Sequence, residues 1–352
     1  MKNRKVYFDI LRIVAILCVI YNHTNERGYY LYAFPANIGL RIFYIIVAAF
    51  IAIGVPIFFM ISGALLLDKE ESISTLYKKR VLRIIMVLII FSLLQFAFRF
   101  LNGTATLSIR WLADNMISDN IIASYWFLYS YLGFLIILPL LRKLVKALDN
   151  IDFVYLIGLY LVIEGILPVV LYLIGYDSYN SFFDLPFFDR VIIFPLVGYF
   201  LDKRLLLEKY NSQTAIKLSL ASLGALAIFV AMTLYRDLPY KEFTTYDKGL
   251  YTCGLTLIID ITVFYLAKYL WDIGNNYSSN RGTKLIAMMG SGVFGVYLIE
   301  GNIRYYTEFI YDEMSGFIGH FPAAIVWVLL IFVIGLLISW LMKCIPGLKK
   351  LL

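Results

Sequence analysis

The sequence predicts an all-α integral membrane protein of about ten transmembrane helices with both chain ends on the cytoplasmic side (N-in/C-in). Composition is the first reason: 61% of the 352 residues are hydrophobic, 17% aromatic and only 16% charged, more apolar material than a soluble core of that size uses. The second is that apolar stretches of roughly 20 residues, the length that crosses the hydrocarbon core as a helix, follow one another along the whole chain. The third is that basic residues collect in alternate connections.

The stretches fall near 7–23, 41–67, 81–101, 124–145, 153–175, 187–202, 213–234, 249–270, 285–304 and 323–343. The first follows a basic start and resembles a signal peptide, but Asp9 and Arg12 interrupt it and no small-x-small cleavage site follows, so it is read as a helix. With the N-terminus inside, one side collects Lys2, Arg4 and Lys5, then Lys69, Lys78, Lys79, Arg80 and Arg83, then Arg142, Lys143 and Lys146. The same side adds Lys203, Arg204 and Lys209, then Lys268, Arg281 and Lys284, and finally Lys343, Lys349 and Lys350. The other side holds singletons such as Arg27, Arg110, Arg236 and Lys241. The split, about 20 against about 9, would be scrambled by a missed or invented span.

No Pro/Gly/Ser-rich linker or low-complexity tract divides the chain, so residues 1–352 are read as a single membrane-embedded domain whose first partner is the lipid bilayer. The formal net charge of +7 is explained by membrane orientation, and no nucleic-acid partner is indicated. Cys18, Cys253 and Cys344 lack metal-ligand spacing and the chain has only two histidines, so neither a metal site nor a disulfide framework is expected. The far-side connections, 24–40, 102–123, 176–186, 235–248 and 305–322, are rich in Tyr, Phe, Trp, Asp and Asn. Interfacial belts account for that, and so does a surface that stacks on sugar rings.

Ionisable side chains inside a span are costly and mark candidate sites. The first helix carries Asp9, Arg12 and His23; eleven residues at ~100° each bring Arg12 and His23 to one face, separated by roughly 16 Å of rise. A guanidinium suits a phosphate or a thioester carbonyl, and an imidazole suits removal of a hydroxyl proton near neutrality. The plain alternative is that Asp9 and Arg12 neutralise each other while His23 ends the helix in water. Glu164, Asp260 and Glu300 are further carboxylates in or near spans, suited to proton relay or to interhelical hydrogen bonds. Ser62 beside Gly63 reads more readily as a helix contact than as a nucleophile. Gly290-Ser291-Gly292-Val293-Phe294-Gly295 matches a dinucleotide fingerprint in letters, but without a preceding strand it reads as close helix packing. His320 reads as a solvated loop residue.

Asp9-x-x-Arg12 with Arg12-x10-His23 resembles the start of the acyltransferase 3 family, bacterial ten-helix membrane O-acyltransferases. Pro56-Ile57-Phe58-Phe59-Met60-Ile61-Ser62-Gly63, Trp126-Phe127-Leu128 and Phe294-Gly295-Val296-Tyr297-Leu298-Ile299 are similar to further family segments, in the family's order and on the corresponding helices. One departure stands out: Glu300 occupies a position where many members carry histidine. The resemblance, to the membrane-only branch, implies transfer of an acyl group, usually acetyl, from cytoplasmic acetyl-CoA to a hydroxyl of a cell-surface saccharide or other envelope acceptor across the bacterial cytoplasmic membrane. It implies His23 as general base, Arg12 with Asp9 as donor-binding or structural partners, and Glu300 as an orienting or proton-accepting group. Arg80, Arg83 and Trp126 are the candidates for donor binding, although the two arginines also fit plain membrane orientation. The rival readings are a small-solute transporter, which buried charges in a bundle would serve equally well, and a non-catalytic envelope scaffold.

Overall fold

A computed structural model describes residues 5–103, 108–117, 121–176, 186–205, 210–237, 254–273 and 281–352. The described residues are helical throughout apart from turns and short connections, and they form a multi-pass membrane bundle. Seven helical stretches are long and apolar enough to cross a bilayer. In chain order these are a broken pair, α2 (Ile38–Ile51) with α3 (Gly54–Leu66), then α4 (Ile73–Leu101), α6 (Ala123–Ala147) and α7 (Asn150–Leu173), with the short α5 (Ile109–Ile117) between α4 and α6. They continue with α9 (Ser212–Asp237), α11 (Arg281–Ile318) and α12 (His320–Met342). Three helices at the other predicted positions are shorter or more polar: α1 (Val6–Asn22), α8 (Arg190–Tyr199, continued by a wider turn to Arg204) and α10 (Thr256–Ile273), which carries Asp260, Lys268 and Asp272. The start of the predicted 249–270 span, like Lys2, Arg4, Lys209, Lys241 and Cys253, lies outside the described residues.

Two departures from the sequence reading have plain physical causes. The single span at 41–67 is interrupted at Ala52 and Ile53. Pro56 has no N–H to give the Ala52 carbonyl and its ring crowds that carbonyl, so the helix breaks there and restarts at Gly54, two residues before the proline. The connection expected at 305–322 is instead mostly the last 14 residues of α11, which runs unbroken for 38 residues, with the turn at Gly319 and the start of α12 after it. At ~1.5 Å per residue such a helix spans about 57 Å, against a hydrocarbon core of about 30 Å, so it projects beyond the core or tilts within it. Four of its charged residues are paired along or across the helix: Arg304 with Glu300, and Glu308 and Asp312 with Arg27. The hairpin to α12 turns at Gly319, whose φ of 83° is the left-handed region that favours glycine.

Helices α1, α3, α8, α11 and α12 form the centre. Gly63 of α3 faces the Pro195 backbone of α8, and Gly198 of α8 faces the Met60 backbone of α3, so the two chains touch main chain to main chain. Gly292 and Gly295 admit Leu336 and Ser339 of α12, with the Ser339 hydroxyl donating to the Gly292 carbonyl at 3.0 Å. The glycine-rich 290–295 segment is therefore a helix-packing seam. Both chain ends lie on one face: Lys5 pairs with Asp202 at 2.7 Å, Lys203 with Asp68 at 3.2 Å, and the Arg83 guanidinium donates to the Leu351 carbonyl at 2.9 Å. Buried Asp202 also accepts from Tyr7 and lies 3.8 Å from Lys268, tying α1, α8 and α10 together at that face.

Candidate active site

Two cavities approach each other from opposite ends of α1. The cavity on the chain-end face, about 410 Å³, is lined by Arg12, Lys69, Arg80 and Arg83, with Ser62 and Tyr131 deeper in. The opposite cavity, about 510 Å³, is lined by Asn22 and His23 from the end of α1, Trp126 from α6, Tyr160 and Glu164 from α7, and Arg190 from α8. Phe127 stands at the boundary of their linings: it lines the first cavity while its neighbour Trp126 lines the second, and its ring lies 5.9 Å from Phe58, 5.2 Å from Phe59 and 5.6 Å from Tyr297. Arg12 thus lines the first chamber and His23 the second, with the Phe127 ring cluster as an aromatic septum at the boundary of their linings.

In the chain-end chamber Arg12 donates to Asp9 at 2.8 Å. Asp9 is fully buried against Gly290, where a side chain would collide with it, so it holds the guanidinium from behind and lines neither chamber. Arg12 and Lys69 also line a neighbouring cavity of about 350 Å³ that contains Lys5, Lys203 and two aspartates. Burial, and then the positive charge of Arg80, push the Lys69 ammonium below its ordinary range, as expected of a cation among cations. Such a chamber attracts a multiply charged anion.

Glu71 organises the chamber's rim. It accepts from Arg80 at 2.9 Å and from Arg142 at 2.8 Å, and the Arg80 bond foremost, with Arg142 assisting, draws its carboxyl from 4.5 down to about 2. A carboxylate with a depressed folded-state pKa contributes stability that is complete above its unfolded value and is lost as pH falls through the folded one. Thermal unfolding midpoints in detergent are therefore expected to drop between pH 4.5 and about 2, and Glu71→Gln to remove that part of the drop. An unchanged profile in Glu71→Gln would detach the rim from acid stability.

In the opposite chamber the His23 Nδ1 lies 2.8 Å from Glu300 Oε1. His23 is the residue that closes α1, and Glu300, only 1% exposed, reaches it from the middle of α11. With Nδ1 occupied, Nε2 is the nitrogen left for a reacting proton. Trp126 stands in this chamber, not beside Arg80 and Arg83, and Arg190 lies over its ring at 5.8 Å. Trp126, Tyr160 and Tyr29 give the chamber flat apolar faces beside polar groups.

Glu164 lines the His23 chamber, whereas Asp260 is fully buried and neither of its oxygens has a hydrogen-bond partner among the described residues. The Ser62 hydroxyl donates to the Phe58 carbonyl at 2.8 Å, which explains it as a helix residue at the chamber wall. His320 pairs with Tyr311 at 3.0 Å. Among the described residues no group of three or more His, Cys, Asp and Glu side chains is placed to hold a metal. Sequence reasoning missed Lys69, Arg190 and Arg304. The first two lie at predicted helix ends where charge is ordinary, and only the fold shows which of them face a chamber.

No curated protein and no solved structure matches the chain. The family model described as the acyltransferase domain matches residues 5–344, so that nearly the whole bundle, with both chambers and the His23–Glu300 pair, is covered, and the chain belongs to the acyltransferase 3 family.

Proposed function

We propose that this membrane acyltransferase takes a short acyl group, acetyl in the first instance, from acyl-CoA on the cytoplasmic side of a bacterial membrane. It passes the group to a hydroxyl of an extracytoplasmic saccharide or related envelope acceptor. The observation that carries this reading is the placement of a histidine–carboxylate pair in one chamber and a cluster of four cations in another, back to back across Phe127. The excess of basic residues around the chain-end face argues for that face being cytoplasmic.

CoA carries several negative charges, which Arg12, Lys69, Arg80 and Arg83 suit. The thioester would enter past Ser62 and Tyr131 toward the septum, and the aromatic faces around His23 would receive a sugar ring. His23 Nε2 takes the acceptor proton as the hydroxyl oxygen attacks the thioester carbon; the C–O bond forms, the C–S bond breaks, and the proton ends on the departing CoA sulfur. Glu300 stabilises the imidazolium formed on the way.

Radiolabelled acetyl-CoA supplied to the protein in lipid vesicles tests this, with label followed into released acetate or a saccharide acceptor. Wild type is expected to turn the donor over. Arg83→Ala is expected to raise KM for acetyl-CoA about tenfold with little change in kcat, since a charged hydrogen bond is worth roughly 1.5–3 kcal/mol and ~1.4 kcal/mol is tenfold. A protein that neither binds nor turns over acetyl-CoA, but carries solute flux sensitive to the same substitutions, would be a transporter.

A further inference from the structure

We infer that Arg304 is a positioning residue that sets the direction of the Glu300–His23 hydrogen bond, and with it the tautomer in which His23 has a free lone pair on Nε2. The inference rests on the reading of His23 as the base. Glu300 offers Oε1 to His23, while its Oε2 is buried without a hydrogen-bond partner, 3.7 Å from Arg304 Nε, which is itself buried and unbonded among the described residues. Arg304 lies four residues on, on the same face of α11, so a small side-chain rotation, or one water, joins the two.

The remaining ionisable groups around Glu300 are otherwise engaged. Tyr125, ahead of α6, donates to the Leu298 carbonyl at 3.0 Å, and Tyr297 of α11 donates to the Ser124 carbonyl. Arg27, beyond the end of α1, is held by Glu308 and Asp312. On α12 the one titratable side chain is His320, bonded to Tyr311, and Lys343 follows at the far end beside the Ser291 carbonyl. Arg304 is thus the permanent positive charge beside this carboxylate among the described residues.

The direction of the bond decides the chemistry. A carboxylate accepts from Nδ1–H, so the ring's lone pair is on Nε2, where an acceptor hydroxyl can surrender its proton. A neutral carboxyl group donates to Nδ1, the ring hydrogen sits on Nε2, and that nitrogen cannot act as a base. Burial favours the neutral carboxyl and a nearby cation favours the charged one. Removing the guanidinium therefore tips the pair toward the wrong tautomer with His23 and Glu300 both still in place.

The chain has only two histidines, so ring-nitrogen NMR of protein labelled in histidine, with His320→Gln to assign the second signal, reads this directly and independently of catalysis. Wild type in lipid is expected to show His23 with hydrogen on Nδ1, Arg304→Gln to show it on Nε2, and Arg304→Lys to restore the wild-type pattern. In acetyl-CoA turnover, Arg304→Gln is expected to lower kcat at least about tenfold and alter its pH profile, with KM for acetyl-CoA unchanged. In a Glu300→Gln background the same substitution should add little. Identical His23 spectra in wild type and Arg304→Gln would overturn the inference, as would a fully additive loss on top of Glu300→Gln. If the spectra shift as expected but His23→Ala turns over acetyl-CoA like wild type, the tautomer control stands and the base assignment falls.

Discussion

His23→Ala is expected to reduce acyl transfer by roughly 10²–10⁴-fold, about 2.7–5.5 kcal/mol of transition-state stabilisation, while acetyl-CoA binding and the thermal unfolding midpoint change little. The separation of effects follows from the two chambers. His23 sits at the helix end, hydrogen-bonds Glu300, and lies across the septum from the cations that would hold CoA. Its loss leaves Glu300 with Arg304 as its remaining charged neighbour, which limits the cost to folding. Arg12→Ala should behave in the opposite way: it takes a 2.8 Å charged partner from the fully buried Asp9 and removes a chamber cation, so it loses stability and donor affinity together. Label transfer, acetyl-CoA binding and melting measured side by side on both variants check the pattern. His23→Ala with wild-type kcat would remove the base from the mechanism.

Gly63→Ala and Gly198→Ala are expected to be the most damaging single-methyl changes in the bundle. A Cβ on Gly63 would overlap the Pro195 carbonyl, and one on Gly198 would overlap the Met60 carbonyl. In each case the obstacle is main chain in a neighbouring helix, which cannot swing aside as a side-chain tip can. Overpacking usually costs about 1–3 kcal/mol, and a collision of this kind belongs at or above the top of that range. Folded yield and melting in detergent should fall sharply for both variants. Gly133→Ala is the control, because nothing lies within 4 Å of its added methyl. Gly63→Ala melting with the control would show that α3 and α8 separate easily.

Much of this arrangement is legible in the sequence because lipid imposes simple rules. Hydropathy and basic residues locate the helices, and the Arg12–His23 spacing sets the two groups roughly 16 Å apart along one face of α1. What is not legible depends on neighbours distant in sequence. Phe127 reads as one aromatic among many until Phe58, Phe59 and Tyr297 close around it. Arg304 and Glu308 read as the end of a span, yet α11 continues through them because Glu300 and Arg27 satisfy their charges. Glu300, a departure from the family pattern in one dimension, becomes the partner of His23 only when α11 is laid against α1.

The Phe127 septum has an electrical consequence. Moving a unit charge across an energised membrane involves about 2.3 kcal/mol per 100 mV, so a continuous wet path lined by Arg12 and Arg83 at one end and Glu164 and Arg190 at the other would drain the potential that the cell maintains. The tilted and edge-on rings of Phe58, Phe59 and Tyr297 around Phe127 put apolar material between those charged linings, which ions enter only at high cost. Both chambers can then hold water and charge without a current running between them.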